Sequence, residues 1–240
     1  DPPTLSAYVP PKENVSVADL TAQLQEMGAD VTTEQVEEID WAEAWRDFFK
    51  PQSIGERVWI RPSWEDAVCP EGRIEIVLDP GQAFGTGDHP TTRMCLHLLE
   101  RADLDGKSVA DIGCGSGILS VAAKKFGSAS VDAVDVDSIS VESARANAAL
   151  NEVDFAAYEG AGFEPLADKV YDVVLSNIIS AAIIALAREV PAHLAPGGTW
   201  IVSGIIGPNW PDVRDEVSAH GFEVVERMEE GDWVAASLRR

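Results

Sequence analysis

From about residue 105 onward, apolar positions gather into short runs separated by longer stretches with helical spacing. Ser108 to Ile112, Ser130 to Asp135, Phe155 to Tyr158, Tyr171 to Ser176 and Thr199 to Gly204 read as strands. Helical patterns cover Ile118 to Phe126, Ser138 to Leu150, Ser180 to His193 and Pro211 to His220, the last ending at Gly221, where glycine suits a C-cap. Ala195-Pro196-Gly197-Gly198 reads as a tight turn before the fifth strand. Phe222 to Met228 and Trp233 to Leu238 form a closing strand pair. Alternating β and α patterns imply an α/β fold with a parallel sheet covered on both faces. The terminal hairpin brings it to seven strands with an antiparallel last strand.

Upstream the pattern changes. Thr4 to Val9 reads as a strand, Val17 to Met27 as a helix and Val31 to Val36 as a strand, as in the back half of a small α+β domain. Asp40 to Phe49 reads as a connecting helix with Asp40 as N-cap. Its aromatics Trp41, Trp45, Phe48 and Phe49 share one face, which suits packing. Three segments follow: an N-terminal substrate-recognition segment over 1–39, a linker over 40–64 and the main domain over 65–240.

Composition narrows the class. The chain has 240 residues, 45% of them hydrophobic, enough for one large domain, or for one domain of about 190 residues with a small appendage. No apolar run approaches the roughly 18 residues of a membrane span. The start, Asp1-Pro2-Pro3-Thr4, has no signal-peptide character, and without an initiator Met it reads as a fragment. Three scattered cysteines, Cys69, Cys95 and Cys114, form neither a disulfide framework nor a metal-ligand spacing, so a cytoplasmic protein without a metal is expected. Net charge is −23, which disfavours direct binding to nucleic acid or acidic lipid. Two readings of the acidity stay open: attraction to a basic protein partner, or a surface suited to a salt-rich cytoplasm.

Chemistry concentrates at Val109-Ala110-Asp111-Ile112-Gly113-Cys114-Gly115-Ser116-Gly117, where a strand enters a glycine-rich turn that opens a helix. Glycines let backbone approach a ligand closely, and a helix start offers unpaired N–H groups. Asp135 ends the next strand, 22 residues after Gly113, where an acid can accept bonds from both hydroxyls of a ribose. The unit therefore suits an adenosine-containing cofactor. Spacing G-x-G-x-G lacks the third glycine of the pyrophosphate fingerprint. Asp111 would repel a pyrophosphate, yet could help hold the cationic end of a methionine. Both details favour S-adenosylmethionine, with Gly113, Gly115, Asp111 and Asp135 as cofactor-binding candidates.

Two further stretches stand out. Leu78 to Thr92 (LDPGQAFGTGDHPTT) is a connection rich in glycine and proline that runs into a helix through Leu99. Asn177 leaves the carboxyl end of the fourth strand, the edge where doubly wound sheets bind ligands.

Together these residues resemble the bacterial methyltransferase family that modifies ribosomal protein L11 of the large subunit. The resemblance covers about residues 36 to 240 and rests on Trp41-x-x-x-Trp45, Ile54-Gly55 to Pro62-Ser63-Trp64, the LDPG-x-AFGTG-x-HPTT stretch, DIGCGSGIL and SNII at Asn177. It implies a class I methyltransferase, Rossmann-like fold behind a ferredoxin-like N-terminal module. Against that pattern the module is expected to lack its first strand and helix here. By resemblance the protein transfers methyls from S-adenosylmethionine to lysine ε-amino groups, and the N-terminal α-amine, of ribosomal protein L11, and is expected to be a monomer. Cofactor contacts fall on Thr92, Gly113, Asp135 and Asn177, with Phe84, Gly85, Thr86 and His89 in the covering loop. Asn177 is a candidate to orient the amine. His89 is a conceivable proton acceptor, with helix capping as its alternative. Gln82 and Asp88 depart from the family pattern. The rival functions are a class I methyltransferase with another substrate and a non-catalytic adenosine-binding, ribosome-associated module.

Overall fold

The computed structural model describes residues 16–33, 49–79, 85 and 87–240. The chain divides into two units, Asp1–Trp41 and Ala42–Arg240.

Of the first unit the described part is α1 (Val17–Glu26), started by Ser16, whose hydroxyl accepts the Asp19 N–H at 3.2 Å. None of its ten residues is buried. The strand expected at Thr4 to Val9 lies outside the described residues, as do all but the last residue of the helix expected at Asp40 to Phe49 and half of the strand expected at Val31 to Val36.

The larger unit opens with a three-stranded sheet of β1 (Gln52–Ile54), β2 (Val58–Pro62) and β3 (Ile74–Leu78). β1 runs antiparallel to β2, and β3 parallel to it. Residues 52–62 fall in the stretch expected to be a linker, yet Ile54, Val58 and Ile60 point into the main hydrophobic core. The turn between β1 and β2 is held by the Glu100 carboxylate, which accepts the N–H groups of Glu56, Arg57 and Val58 at 3.1, 2.9 and 3.2 Å. Glu100 belongs to α2 (Pro90–Arg101), so this contact fixes the small sheet to that helix.

The remaining elements alternate: β4 (Ser108–Ile112), α3 (Ile118–Lys125), β5 (Ser130–Asp135), α4 (Ser138–Leu150), β6 (Ala156–Glu159), β7 (Tyr171–Asn177), α5 (Ser180–Leu186), α6 (Val190–His193), β8 (Leu194–Ile206), α7 (Trp210–Ala219), β9 (Glu223–Glu230) and β10 (Trp233–Arg239). Strand order is β6-β5-β4-β7-β8-β10-β9. β10 is antiparallel to both neighbours, whereas the pairs from β6 to β8 are parallel. Side chains alternate between faces with period two. Val109, Val173, Leu175 and Ile201 pack with α2 and α3, while Ala110, Val174, Trp200 and Val202 pack with α5 and α7.

Two local expectations need correction. The helix expected from Ser180 to His193 breaks into α5 and α6, because Pro191 has no N–H to continue the ladder. The turn expected at Ala195–Gly198 lies inside β8, where pairing with β7 jumps from Tyr171↔Leu194 to Val173↔Thr199. The extra residues bulge there, with Gly197 at φ +75°. No helix among the described residues is long and apolar enough to cross a membrane.

Strand order reverses at β4, which has β5 on one side and β7 on the other. The carboxyl ends of these three strands therefore flank the crevice where such sheets bind ligands.

Candidate functional site

The glycine turn follows β4 and is tied to β5. Gly113 and Cys114 donate to the Val134 carbonyl at 2.8 and 3.1 Å, and Gly115 donates to Asp135 Oδ2 at 2.9 Å. These three N–H groups thus hold the turn to the neighbouring strand; the glycines are there for conformation and closeness. Gly113, Gly115 and Gly117 all have positive φ. A Cβ on Gly113 would lie 2.1 Å from Ile178 Cγ2, and one on Gly117 would lie 2.9 Å from Ala144 Cα. Side chains larger than hydrogen cannot be placed there without moving β7's exit or α4.

Two carboxylates sit at adjacent strand ends in unlike surroundings. Asp135 is half-buried; besides Gly115, it accepts the Asp137 N–H on Oδ1 at 3.0 Å. Each oxygen keeps lone-pair capacity for a further donor, as the two hydroxyls of a ribose require. Asp111 is fully buried. Its Oδ2 accepts the Ser120 hydroxyl at 2.6 Å, while Oδ1 has no hydrogen-bond partner among the described residues. Burial pushes its carboxyl up to about 7, the nearby Asp135 charge adds to that, and the Ser120 bond opposes it.

Asn177 ends β7 on the face shared with Val173 and Leu175. Its Nδ2 lies 3.4 Å from Thr92 Oγ1, and its buried Oδ1 has no hydrogen-bond partner among the described residues. Thr92 is fully buried in the first turn of α2. His89 is the N-cap of that helix: Nδ1 accepts the Thr91 N–H at 3.4 Å and lies 2.7 Å from Thr91 Oγ1. The His89 ring packs edge-on against Trp233 at 4.7 Å. Burial, then the Arg93 charge, lowers its pKa, so the ring is neutral near pH 7. Arg93 in turn bonds the Asp88 carbonyl and the Glu230 carboxylate.

The Gly85 carbonyl accepts the Ser116 hydroxyl at 2.7 Å, which ties the connection before α2 to the glycine turn. Phe84 and Thr86, also expected in the site, lie outside the described residues. The structure thus brings Asp111, Gly113, Gly115 and Asp135 together at the ends of β4 and β5, and Thr92 and Asn177 beside them. Sequence reasoning missed Trp233, Glu230 and Asn147. The first two come from the closing hairpin and carry no local signal; Asn147 was visible as a polar residue on an apolar helix face. Cys95 and Cys114 are buried, and burial pushes both thiols far above neutral pH, so neither is a nucleophile.

A turn of three positive-φ glycines, an acid open to two more donors and two orphaned buried oxygens fit the adenosine and amino-acid parts of S-adenosylmethionine. With this strand order they define a class I S-adenosylmethionine-dependent methyltransferase. Solved structures agree on the fold. The chain superposes on ribosomal protein L11 methylase from Lactobacillus delbrueckii subsp. bulgaricus with a TM-score of 0.76 and 33% identity, over 80% of this chain and 98% of that one. A T. thermophilus 16S rRNA N2 G1207 methyltransferase in complex with AdoMet and guanosine shares the fold at TM-score 0.58 and 20% identity, over 67% of this chain and 46% of that one. The sequence profile of "Ribosomal protein L11 methyltransferase (PrmA)" matches residues 4–240. Ribosomal protein L11 methyltransferase of Desulforamulus reducens is 41% identical over 243 residues, covering 97% of this chain and 78% of the relative. That of Acetivibrio thermocellus is 42% identical over 205 residues, covering 85% and 66%. The chain belongs to the ribosomal protein L11 methyltransferase family.

Proposed function

We propose that this enzyme methylates lysine ε-amino groups and the N-terminal α-amine of ribosomal protein L11, with Asn177 orienting each amine. It acts as a monomer in the cytoplasm, with L11 as its protein partner. S-adenosylmethionine, when bound, supplies a methyl group made electrophilic by a cationic sulfur. Asp135 and the Gly113–Gly117 turn would hold its adenosine end, and Asp111 its amino-acid end.

The chain's own task is to present a neutral amine. A free lysine has a pKa of about 10.4, so it must lose a proton before its lone pair can attack carbon. Desolvation at the carboxyl ends of β4 and β7 favours that loss. The observation that carries the proposal is Asn177 Oδ1: a buried amide oxygen with no hydrogen-bond partner among the described residues, on a side chain steadied by Thr92. Such an oxygen can accept an amine N–H and direct the lone pair without taking the proton. Positioning then supplies much of the rate. His89 supports this arrangement by capping α2, which carries Thr92.

Purified L11 incubated with enzyme and S-adenosylmethionine should gain multiples of one methyl mass. Asn177→Ala should lower kcat by about a hundredfold, the range of a lost orienting group. An L11 whose intact mass does not change, with an enzyme that binds cofactor, would refute the substrate assignment.

A further inference from the structure

α4 carries a pair of asparagines, one helical turn apart, that do two different jobs. Asn151, at the C-cap, accepts the Val77 N–H at 2.8 Å and donates to the Val77 carbonyl at 2.6 Å. It replaces the missing neighbour on the outer edge of β3, as a strand would. Asn147 reaches beyond that strand's end. Its Oδ1 accepts the Asp79 N–H at 2.8 Å, and its Nδ2 donates to the Ser116 carbonyl at 2.9 Å. The Ser116 hydroxyl then donates to the Gly85 carbonyl at 2.7 Å. Asn147 and Ser116 are both fully buried.

The result is one continuous relay. It starts at Asp79 where the chain leaves β3, passes through α4 to the glycine turn, and returns to Gly85 on the same connection. An amide is suited to the middle position, since it must accept from one backbone group and donate to another. Close approach makes the reach possible: Gly117 packs so near α4 that a Cβ on it would lie 2.8 Å from Ala144 Cβ, one turn before Asn147.

We propose that Asn147 is a positioning residue for methyl transfer, acting through Ser116 to hold the glycine turn in register with Asp79 and Gly85. The glycine turn would hold the cofactor's adenosine end, so the placement of that turn sets the cofactor's affinity. The inference rests on the methyltransferase reading for its ligand, but not on the identity of the methylated protein.

Asn151 provides a matched control: it is buried at the end of the same helix and bonds the same stretch of chain without touching the turn, and its side chain meets Asn147 only at the backbone carbonyl, at 2.8 Å, which Asn147→Leu retains. Asn147→Leu, Asn151→Leu and Ser116→Ala would be compared by calorimetry with S-adenosylmethionine, by thermal unfolding and by kcat with L11. Asn151→Leu should lower Tm and leave the cofactor Kd within twofold of wild type. Asn147→Leu and Ser116→Ala should each raise Kd at least fivefold with no greater loss of Tm. Combining those two should cost little more than the worse single change, because both interrupt one relay, whereas Asn151→Leu with Ser116→Ala should multiply. Should Asn147→Leu not fold, Ser116→Ala breaks the far end of the relay without altering α4. Equal Kd changes in the two asparagine variants, or a wild-type Kd in Ser116→Ala, overturns the proposal. Wild type that binds cofactor but leaves L11 unmethylated overturns the substrate assignment alone; wild type that binds no cofactor overturns both.

Discussion

The ends of β4 and β5 carry the same sequence signal, an acid where a strand meets the ligand edge, yet the two acids are physically unlike. Asp135 is half-buried and its charge is met by two backbone N–H groups. Asp111 is fully buried with one hydroxyl donor, and burial pushes its carboxyl up to about 7. Position at a strand end says where an acid sits; burial and donors decide what it can do. Asp135 is equipped to accept hydrogen bonds from neutral hydroxyls. Asp111 is equipped to respond to a cation, because a positive neighbour favours the ionised form that burial disfavours.

Removing each acid should separate these roles. Asp135→Ala has the largest expected effect. Two charge-assisted hydrogen bonds at ~1.5–3 kcal/mol each correspond to a hundredfold or greater rise in the S-adenosylmethionine Kd. Calorimetry giving less than a tenfold change would break the comparison from Asp135's side.

Asp111→Asn tests the other side through stability without cofactor. The Asp111 carboxyl titrates at about 7 in the folded protein against 3.8 ordinarily, so the folded state holds a proton that the unfolded chain releases. Its contribution to stability is full below pH 3.8 and is lost as pH rises through 7. The Asn variant has no such loss. It should gain on wild type between pH 4 and pH 8 by on the order of 2–4 kcal/mol. Denaturant midpoints that track each other across this range would show that Asp111 is not strained by its burial.

Smaller effects come from the glycines around these acids. Gly113→Ala and Gly87→Ala each force an L-residue into positive φ, at +80° and +85°. Each should cost about 1–3 kcal/mol. The alanine at Gly113 would strike Ile178 beside the site, whereas at Gly87 it would strike Ile60 of the small sheet. Both should therefore lower Tm, but only Gly113→Ala should also raise the cofactor Kd.

The smallest expected effect belongs to the surface charge of −23. If it steers a basic substrate, raising salt from 0.15 to 1 M, which shortens the screening length from about 8 to 3 Å, should lower kcat/KM for L11 severalfold and leave cofactor affinity alone. Removing residues 1–39 should flatten that dependence. A flat response in the intact protein would assign the acidity to the surface as a whole.

The sequence made the doubly wound sheet legible because each strand and helix in it signals its own type. Ser138 to Leu150 is a helix with those same bounds in the structure, and β4 and β5 match residue for residue. What stayed hidden depends on partners distant in sequence. β1 and β3 are short, and β3's outer edge is completed by asparagine amides 74 and 68 residues further along. The Arg93–Glu230 bond spans 137 residues, so no local pattern could announce that the closing hairpin borders the site. Within the site, the acid and glycine positions were readable from spacing. The state of Asp111 was not, since it follows from a burial that only tertiary packing creates.

β10 comes last in chain order among the strands, yet it lies inside the sheet between β8 and β9. A chain made from its N-terminus can assemble β4 to β8 while still being synthesised, but the edge of β8 waits open until residues 233–239 have left the ribosome. Trp233, which packs on His89 at the start of α2, arrives with that strand. A nascent chain therefore carries its glycine turn long before the wall beside His89 exists. The ring contact that flanks the start of α2 is thus among the last parts of the fold to form.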